Sequence, residues 1–354
     1  MKPPTQRSIC LGKDLLTGLD VRLPLTVEGN PHLLIAGRSV TGKTTYLLNL
    51  CRQMLDAGVR PIIFSCDEDT NEWLKGLVPT ARVIDYGGDL GFNPLQVVDR
   101  QSRTAYLDVA VALRDIFVAV YPKLGPVQRE RIRQAISESF VEQGWGDQIV
   151  DLSSLKEPSF GRFLEILRAD PKPDMGLRTL LARLNELEDY GFFSVPAPRE
   201  SLLEGEQPTV IRIRRGSSDR VQSAFVLLML YGLYKDMFRR GIRPQITDAV
   251  VIDEVPRAAS LSLIPTIAKE CGKYGISLVL SSMQTTGFKN SLFSSIANYL
   301  VLRLAAPDAE ALVRHVVSSG QKRALADEIM QLERFKALYF GKDTKKPLPV
   351  ALPA

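Results

Sequence analysis

Short apolar runs and helical periodicities alternate along the chain, and their order predicts an α/β protein. Leu33-Leu34-Ile35-Ala36 is apolar throughout, the pattern of a strand buried on both faces of a sheet. Thr45-Tyr46-Leu47-Leu48-Asn49-Leu50-Cys51 then reads as a helix. Gly58 and Pro61 mark a turn into a second buried strand, Ile62-Ile63-Phe64-Ser65-Cys66, which runs out into Asp67-Glu68-Asp69. Ala81 to Tyr86 reads as a third strand, and short apolar pieces between Gly12, Gly18 and Gly29 predict a small β lead-in over 8–30. Strands that alternate with helices belong to a parallel sheet covered by helices.

From about residue 100 the period changes. Leu107, Val111 and Phe117, then Ile132, Ile136 and Phe140, then Phe163, Ile166 and Leu167, then Leu180, Leu184 and Leu187 recur at helical spacing, punctuated by Pro122, Pro126, Pro158, Pro171 and Pro196. This predicts a helical insertion. Strands resume at Thr209–Ile213, Ala249–Asp253, Ile276–Ser281 and Tyr299–Arg303, so the sheet is interrupted by the helices and then completed. The predicted organisation is a short β lead-in over 1–30, a sheet core in two parts over 31–99 and 206–340, a helical insertion over 100–205 and a Lys/Pro-rich tail over 341–354.

Composition narrows the class without naming a chemistry. The chain has 354 residues, 45% hydrophobic and 24% charged, which suits a soluble globular protein with a large core. Four cysteines without C-x-x-C spacing and two histidines, His32 and His315, argue against a zinc site and against a disulfide scaffold. The first residues lack the apolar run of a signal peptide, and Ala224–Tyr231 is far shorter than the ~20 residues that cross a bilayer. A cytoplasmic protein with no membrane segment is expected. The net charge of +5 is compatible with a polyanionic partner but does not require one.

The chemistry begins after the first buried strand. Gly37-Arg38-Ser39-Val40-Thr41-Gly42-Lys43-Thr44-Thr45 has the glycine spacing of a phosphate loop, whose backbone N–H groups form a concave nest for phosphate oxygens. Lys43 is placed to lie along the β- and γ-phosphates, the Thr44 hydroxyl to ligate Mg²⁺, and the next helix to present its positive end to the anion. The loop by itself predicts a bound nucleoside triphosphate with Mg²⁺; ATP is the narrower expectation and comes with the motor-type site as a whole. Such a site needs an acidic residue at the end of a second buried strand, and Ala249-Val250-Val251-Ile252-Asp253-Glu254 supplies it. Asp253 is the candidate Mg²⁺ ligand and Glu254 the candidate base that polarises an attacking water. The strand ending Ser281-Ser282-Met283-Gln284 offers Gln284 as a contact to the γ-phosphate.

These residues together resemble the HerA/FtsK superfamily of RecA-like motor ATPases, which includes DNA translocases and helicases and is related to conjugative transfer ATPases. The resemblance runs from residue 8 to about 340. It is carried by Pro31–Gly37 leading into the loop, Phe92-Asn93-Pro94-Leu95 ahead of the helices, Val251–Glu254, Glu270-Cys271-Gly272-Lys273-Tyr274-Gly275-Ile276 ahead of a strand, and Gln284. It implies a RecA-like P-loop fold, a ring that is usually hexameric with sites at subunit interfaces, and double-stranded DNA as the moved substrate. It also implies phosphate and Mg²⁺ contacts for Lys43, Thr44 and Asp253, a catalytic base at Glu254 and a sensor at Gln284. Asp67 matches an acidic position of the family. Where many relatives carry Arg-Lys before Tyr-Gly, this chain has Gly272-Lys273, so an arginine acting in trans must lie elsewhere; Arg303 and Arg257 are the candidates. Cations able to grip DNA phosphates are sought in Arg212–Arg220, Phe288-Lys289-Asn290 and Arg239-Arg240, the last equally suited to a helix end. A conjugative or secretion-type motor moving protein or nucleoprotein is the alternative. A further alternative is an ATP-gated ring that recruits an effector protein such as a nuclease in defence against phage.

Overall fold

The computed structural model describes residues 7–65, 81–85, 89–146, 151–171, 173–196, 199–213, 218–253, 263–288, 290–317, 321–342 and 346–353. They fall into two compact units, one of 1–85, 202–215 and 240–354, the other of 86–201 and 216–239.

The first unit is a mixed sheet with helices. Its strands are β1 (Ser8–Asp14), β2 (Asp20–Pro24), β3 (Leu33–Ala36), β4 (Arg60–Ser65), β5 (Arg82–Asp85), β6 (Thr209–Arg212), β7 (Asp248–Ile252), β8 (Ile276–Ser282), β9 (Asn298–Val301), β10 (Lys336–Phe340) and β11 (Leu348–Ala351). They lie side by side in the order β2-β1-β11-β10-β9-β3-β8-β7-β4-β6-β5. From β9 to β5 every neighbour is parallel, whereas β10, β11, β1 and β2 pair antiparallel. The division follows the side chains. β3, β4, β7, β8 and β9 are buried at every position, as strands covered on both faces must be, while β2 alternates buried and exposed. Leu348–Ala351, within the segment read as a tail, is a strand wedged between β1 and β10.

Helix α1 (Lys43–Asp56) covers the sheet through Tyr46, Leu47, Leu50, Cys51 and Met54, a stripe at helical spacing that joins Leu33, Ile35, Val251 and Val279 in one core. At the amino ends of the parallel strands, Arg60 and Arg240 converge on the buried carboxylate of Asp248, with Arg60 Nε 2.7 Å from it. The start of β3 is pinned by polar side chains. His32 Nδ1 accepts from the Leu278 N–H at 3.0 Å, and the Ser277 hydroxyl donates to the Pro31 carbonyl at 2.6 Å.

The second unit is helical: α2 (Ala105–Val120), α3 (Pro126–Val141), α4 (Arg162–Arg168), α5 (Met175–Asp189) and most of α6 (Asp219–Arg240). Phe117, Phe160, Phe163 and Phe193 form its aromatic centre, with ring centroids 4.9–6.3 Å apart. The unit begins before residue 100 and also takes in α6, which the apolar run at 224–231 announced only as a buried helix. Phe92-Asn93-Pro94-Leu95 has a structural task there. A Cβ on Gly232 would stand 2.8 Å from the Phe92 ring, the Asn93 amide donates to the Pro158 carbonyl at 2.8 Å, and the buried Lys235 ammonium donates to the Pro94 and Gln96 carbonyls at 2.5 and 2.6 Å. The remaining helices, α7 (Leu263–Glu270), α8 (Asn290–Ser295), α9 (Ala306–Val316) and α10 (Lys322–Gln331), belong to the first unit. Among the described residues no helix is long and apolar enough to cross a membrane.

Candidate functional site

Register brings the sequence candidates to one edge of the sheet. Ala36 pairs with Ser282 on one side and with Val301 on the other, and Ile252 pairs with Leu280. The carboxyl ends of β3, β7, β8 and β9 are therefore nearly level, which puts the 37–42 loop, Asp253, Gln284 and Arg303 at the same edge. Parallel sheets bind ligands at this edge because chain reversals leave backbone groups and polar side chains unpaired there.

The loop is held from three directions. The Gly37 N–H donates to the Ser282 carbonyl at 3.0 Å, the Arg38 N–H to the Arg303 carbonyl at 2.9 Å, and the Phe335 N–H to the Thr41 carbonyl at 3.2 Å. Inside the turn the Thr41 hydroxyl donates to the Arg38 carbonyl at 2.7 Å. Both glycines are required by what surrounds them. A Cβ at position 37 would stand 2.9 Å from Leu302 Cβ, and Gly42 has φ +96° with the Phe335 ring against it. Arg38, Ser39 and Val40 are exposed, Thr41 and Gly42 are buried, and α1 begins at Lys43, so Thr44 and Thr45 occupy its first turn. The positive end of a 14-residue helix thus opens onto the loop.

Lys43 is only 6% exposed. Its ammonium donates to the Ser281 hydroxyl at 2.8 Å and lies 3.6 Å from the Asp253 carboxylate, and the same hydroxyl donates to Asp253 at 3.0 Å. The register explains the contact: Asp253 follows Ile252, the partner of Leu280, and so comes level with Ser281. Burial, and secondarily the Asp253 charge, pushes the Cys51 thiol on α1 up to about 12, so it stays protonated and inert.

The donor set suits a phosphate with a hard divalent cation. A carboxylate and the Thr44 hydroxyl are the oxygen ligands that Mg²⁺ takes, and the loop keeps its tight backbone because no Cβ at 37 or 42 separates it from Leu302 and Phe335. An anion that draws Lys43 away leaves the Asp253 charge buried, and a cation is what compensates it.

Gln284 is exposed at the end of β8, and beside it the Ser39 hydroxyl points to the Met283 sulfur at 3.4 Å. Arg303 is exposed at the end of β9. Glu254, Arg257, Asp67, Arg214, Arg215 and Lys289 lie outside the described residues. Of the cations sought for DNA, Arg240 is paired with the buried Asp248, as a structural arginine is, whereas Arg212 pairs with Asp85 and Arg239 with Asp236 at 2.9 Å in partly exposed pairs. Phe288 is buried against Phe293, and His315 stacks on Phe293 at 4.2 Å. Sequence reasoning missed Ser281, Asp308 and Phe335. Ser281 and Ser282 did leave a signal, two hydroxyls ending an otherwise apolar buried strand, whereas nothing near Phe335 in the sequence points to the loop.

No protein-family model matches the chain, and no curated protein matches it. Solved structures do. VirB4 of Thermoanaerobacter pseudethanolicus superposes with a TM-score of 0.77 at 19% identity, over 98% of this chain and 96% of that one. The bacterial conjugative coupling protein TrwB, in an unbound form, gives 0.66 at 13% identity over 98% and 90% of the two chains. Plasmid coupling protein TrwB in complex with ADP and Mg²⁺ gives 0.64 at 13% identity over 91% and 85%. The chain has the RecA-like P-loop fold of these proteins.

Proposed function

We propose that this protein is a Mg²⁺-dependent ATPase that works as a hexameric ring and translocates double-stranded DNA. The observation that carries the ATPase is the buried Lys43–Ser281–Asp253 cluster beside a glycine-cradled loop at the carboxyl edge of a parallel sheet. In this reading the N–H groups of 37–45 hold the phosphates, Lys43 moves its charge from Asp253 to the β- and γ-phosphates, and Thr44 and Asp253 hold Mg²⁺. When bound, the cation supplies charge stabilisation between phosphate oxygens. Glu254, next after Asp253, takes the proton of the attacking water, and Gln284 touches the γ-phosphate. Arg303, exposed at the end of β9, is offered to the neighbouring subunit's nucleotide.

The ring and the DNA rest on the family resemblance, with the net charge of +5 in keeping. The likeness to a conjugative coupling protein favours a second reading, a conjugative-type motor whose cargo is protein or nucleoprotein.

Phosphate release from ATP and Mg²⁺, measured with and without duplex DNA, tests both. Duplex DNA is expected to raise turnover; turnover that ignores DNA and rises with a partner protein rejects the DNA translocase. Glu254→Gln should keep ATP binding and lose about 10²-fold or more in turnover, the scale of a lost general base. Sedimentation with a non-hydrolysable nucleotide tests the ring, and a strict monomer rejects it.

A further inference from the structure

The loop that carries Gln284 is fastened at both sides, while the Gln284 side chain itself projects into solvent. On one side the Ser282 hydroxyl accepts from the Gln284 N–H at 3.1 Å and donates to the Gln284 carbonyl at 2.5 Å. On the other, a single carboxylate oxygen, Oδ1 of Asp308, accepts from the N–H groups of both Thr285 and Thr286 at 2.8 and 3.0 Å. The Thr285 hydroxyl donates to the Asp308 carbonyl at 2.7 Å. Asp308 is 8% exposed and Thr285 1%, so the two bonds to Thr285 are shielded from water, while the second charge-assisted bond, to the exposed Thr286, is only partly so.

Asp308 stands in the first turn of α9, where a carboxylate also meets the helix's positive end. Five residues earlier, the Arg303 carbonyl accepts the Arg38 N–H of the phosphate loop at 2.9 Å. One short segment, 303–308, therefore touches the phosphate loop at its start and the Gln284 loop at its end. It is a second tie between the two, beside the Gly37–Ser282 bond.

We propose that Asp308 is a positioning residue: its carboxylate holds Thr285 and Thr286 so that Gln284 stands at a set distance from the phosphate loop, ready to meet the γ-phosphate. This rests on the reading of Gln284 as a nucleotide contact. A polar side chain on a floppy loop would lose conformational entropy on each engagement; on a clamped loop only its own rotamers are restricted.

A double-mutant cycle tests the proposal. Gln284→Ala and Asp308→Ala are each expected to lower kcat about 10- to 100-fold with ATP affinity changed less than about threefold, and the double variant is expected to be no slower than either. Losses that multiply, or full turnover in Asp308→Ala beside a crippled Gln284→Ala, overturn it. Full turnover in Gln284→Ala instead overturns the Gln284 reading itself. Asp308→Asn, which keeps an Oδ1 acceptor without the charge, serves if the alanine variant does not fold. It should slow turnover about three- to tenfold and speed amide exchange at Thr285 and Thr286. Unchanged exchange there refutes the clamp whether or not the protein hydrolyses ATP.

Discussion

Replacing Gly42 by alanine adds one methyl group at the point where the phosphate loop becomes a helix, and the structure sets its cost. Gly42 has φ +96°, a conformation that costs a residue with a Cβ about 1–2 kcal/mol. The new Cβ would also stand 2.6 Å from Phe335 Cδ1, well inside contact distance. Relief has to come from turning the ring, because the Phe335 backbone has little freedom to retreat. Its own φ is +59°, its N–H is bonded to the Thr41 carbonyl at 3.2 Å, and its carbonyl accepts the Leu352 N–H at 2.8 Å. Overpacking of this kind costs about 1–3 kcal/mol. A total of about 2–5 kcal/mol weakens nucleotide binding roughly 30- to 4,000-fold if the loop moves to relieve the strain. If the loop holds its shape, the same energy appears as lost stability. Both are read on one sample set, by titration of a fluorescent ATP analogue and by thermal unfolding. The steric part, not the φ part, should vanish when Phe335→Ala is the background, leaving about 1–2 kcal/mol. A Gly42→Ala change that costs as much in the Phe335→Ala background as beside the native ring would refute the argument that Phe335 shapes the loop.

Two further perturbations follow from buried charge. Lys43→Met should abolish ATP binding and also destabilise the nucleotide-free protein by about 2–3 kcal/mol, because Asp253 keeps its burial and loses its counter-charge. Adding Asp253→Asn should return most of that stability but none of the binding, as seen in unfolding curves; no recovery would mean that the two charges do not compensate each other. His32, whose titration is lowered by burial from 6.5 to about 4, folds as the neutral ring that accepts from Leu278. The unfolded chain binds the extra proton first. This contribution is therefore complete above about pH 6.5 and is lost as pH falls toward 4, by up to about 1.4 kcal/mol per pH unit. In His32→Gln the loss over that window should be shallower, and an equal slope in urea unfolding would remove His32 from the account.

What the chain discloses before folding depends on whether a feature is local. Leu33–Ala36, Ile62–Ser65 and Ala249–Ile252 are legible as inner strands because burial on both faces forces continuous apolar runs, and the loop at 37–45 is legible because its glycine spacing is local, although Leu302 and Phe335, which crowd those glycines, are not. The strand at Leu348–Ala351 was not. It pairs antiparallel at the less covered end of the sheet, where two prolines and flanking lysines are tolerated, so its composition looks like that of a tail. The limits of the helical unit were hidden for a related reason. α6 returns to that unit after β6 has been laid in the sheet, and the basic and small residues at the crossing, 214–218, read as a connection without saying which unit the next helix joins.

The site shows the same division between local and distant causes. Lys43, Asp253 and Gln284 each follow a strand and can be named from the sequence that precedes them. What joins them cannot. Ser281 bridges Lys43 and Asp253 only because β8 lies between β3 and β7, a neighbour relation fixed by the whole sheet. Phe335, nearly 300 residues beyond the loop it props, is brought there by β10 and β11, the strands farthest from any recognisable motif. Motifs therefore announce the candidate groups, while the residues that hold those groups in register are chosen by topology. Ser281, Asp308 and Phe335 share one property that sequence could not supply: each side chain makes its decisive contact, a hydrogen bond for Ser281 and Asp308 and the ring against Gly42 for Phe335, with a different strand end or loop at the same sheet edge. Substitutions at these three positions should consequently alter the geometry of the site while leaving its chemical groups in place. That is the behaviour by which positioning residues are told apart from the groups they position.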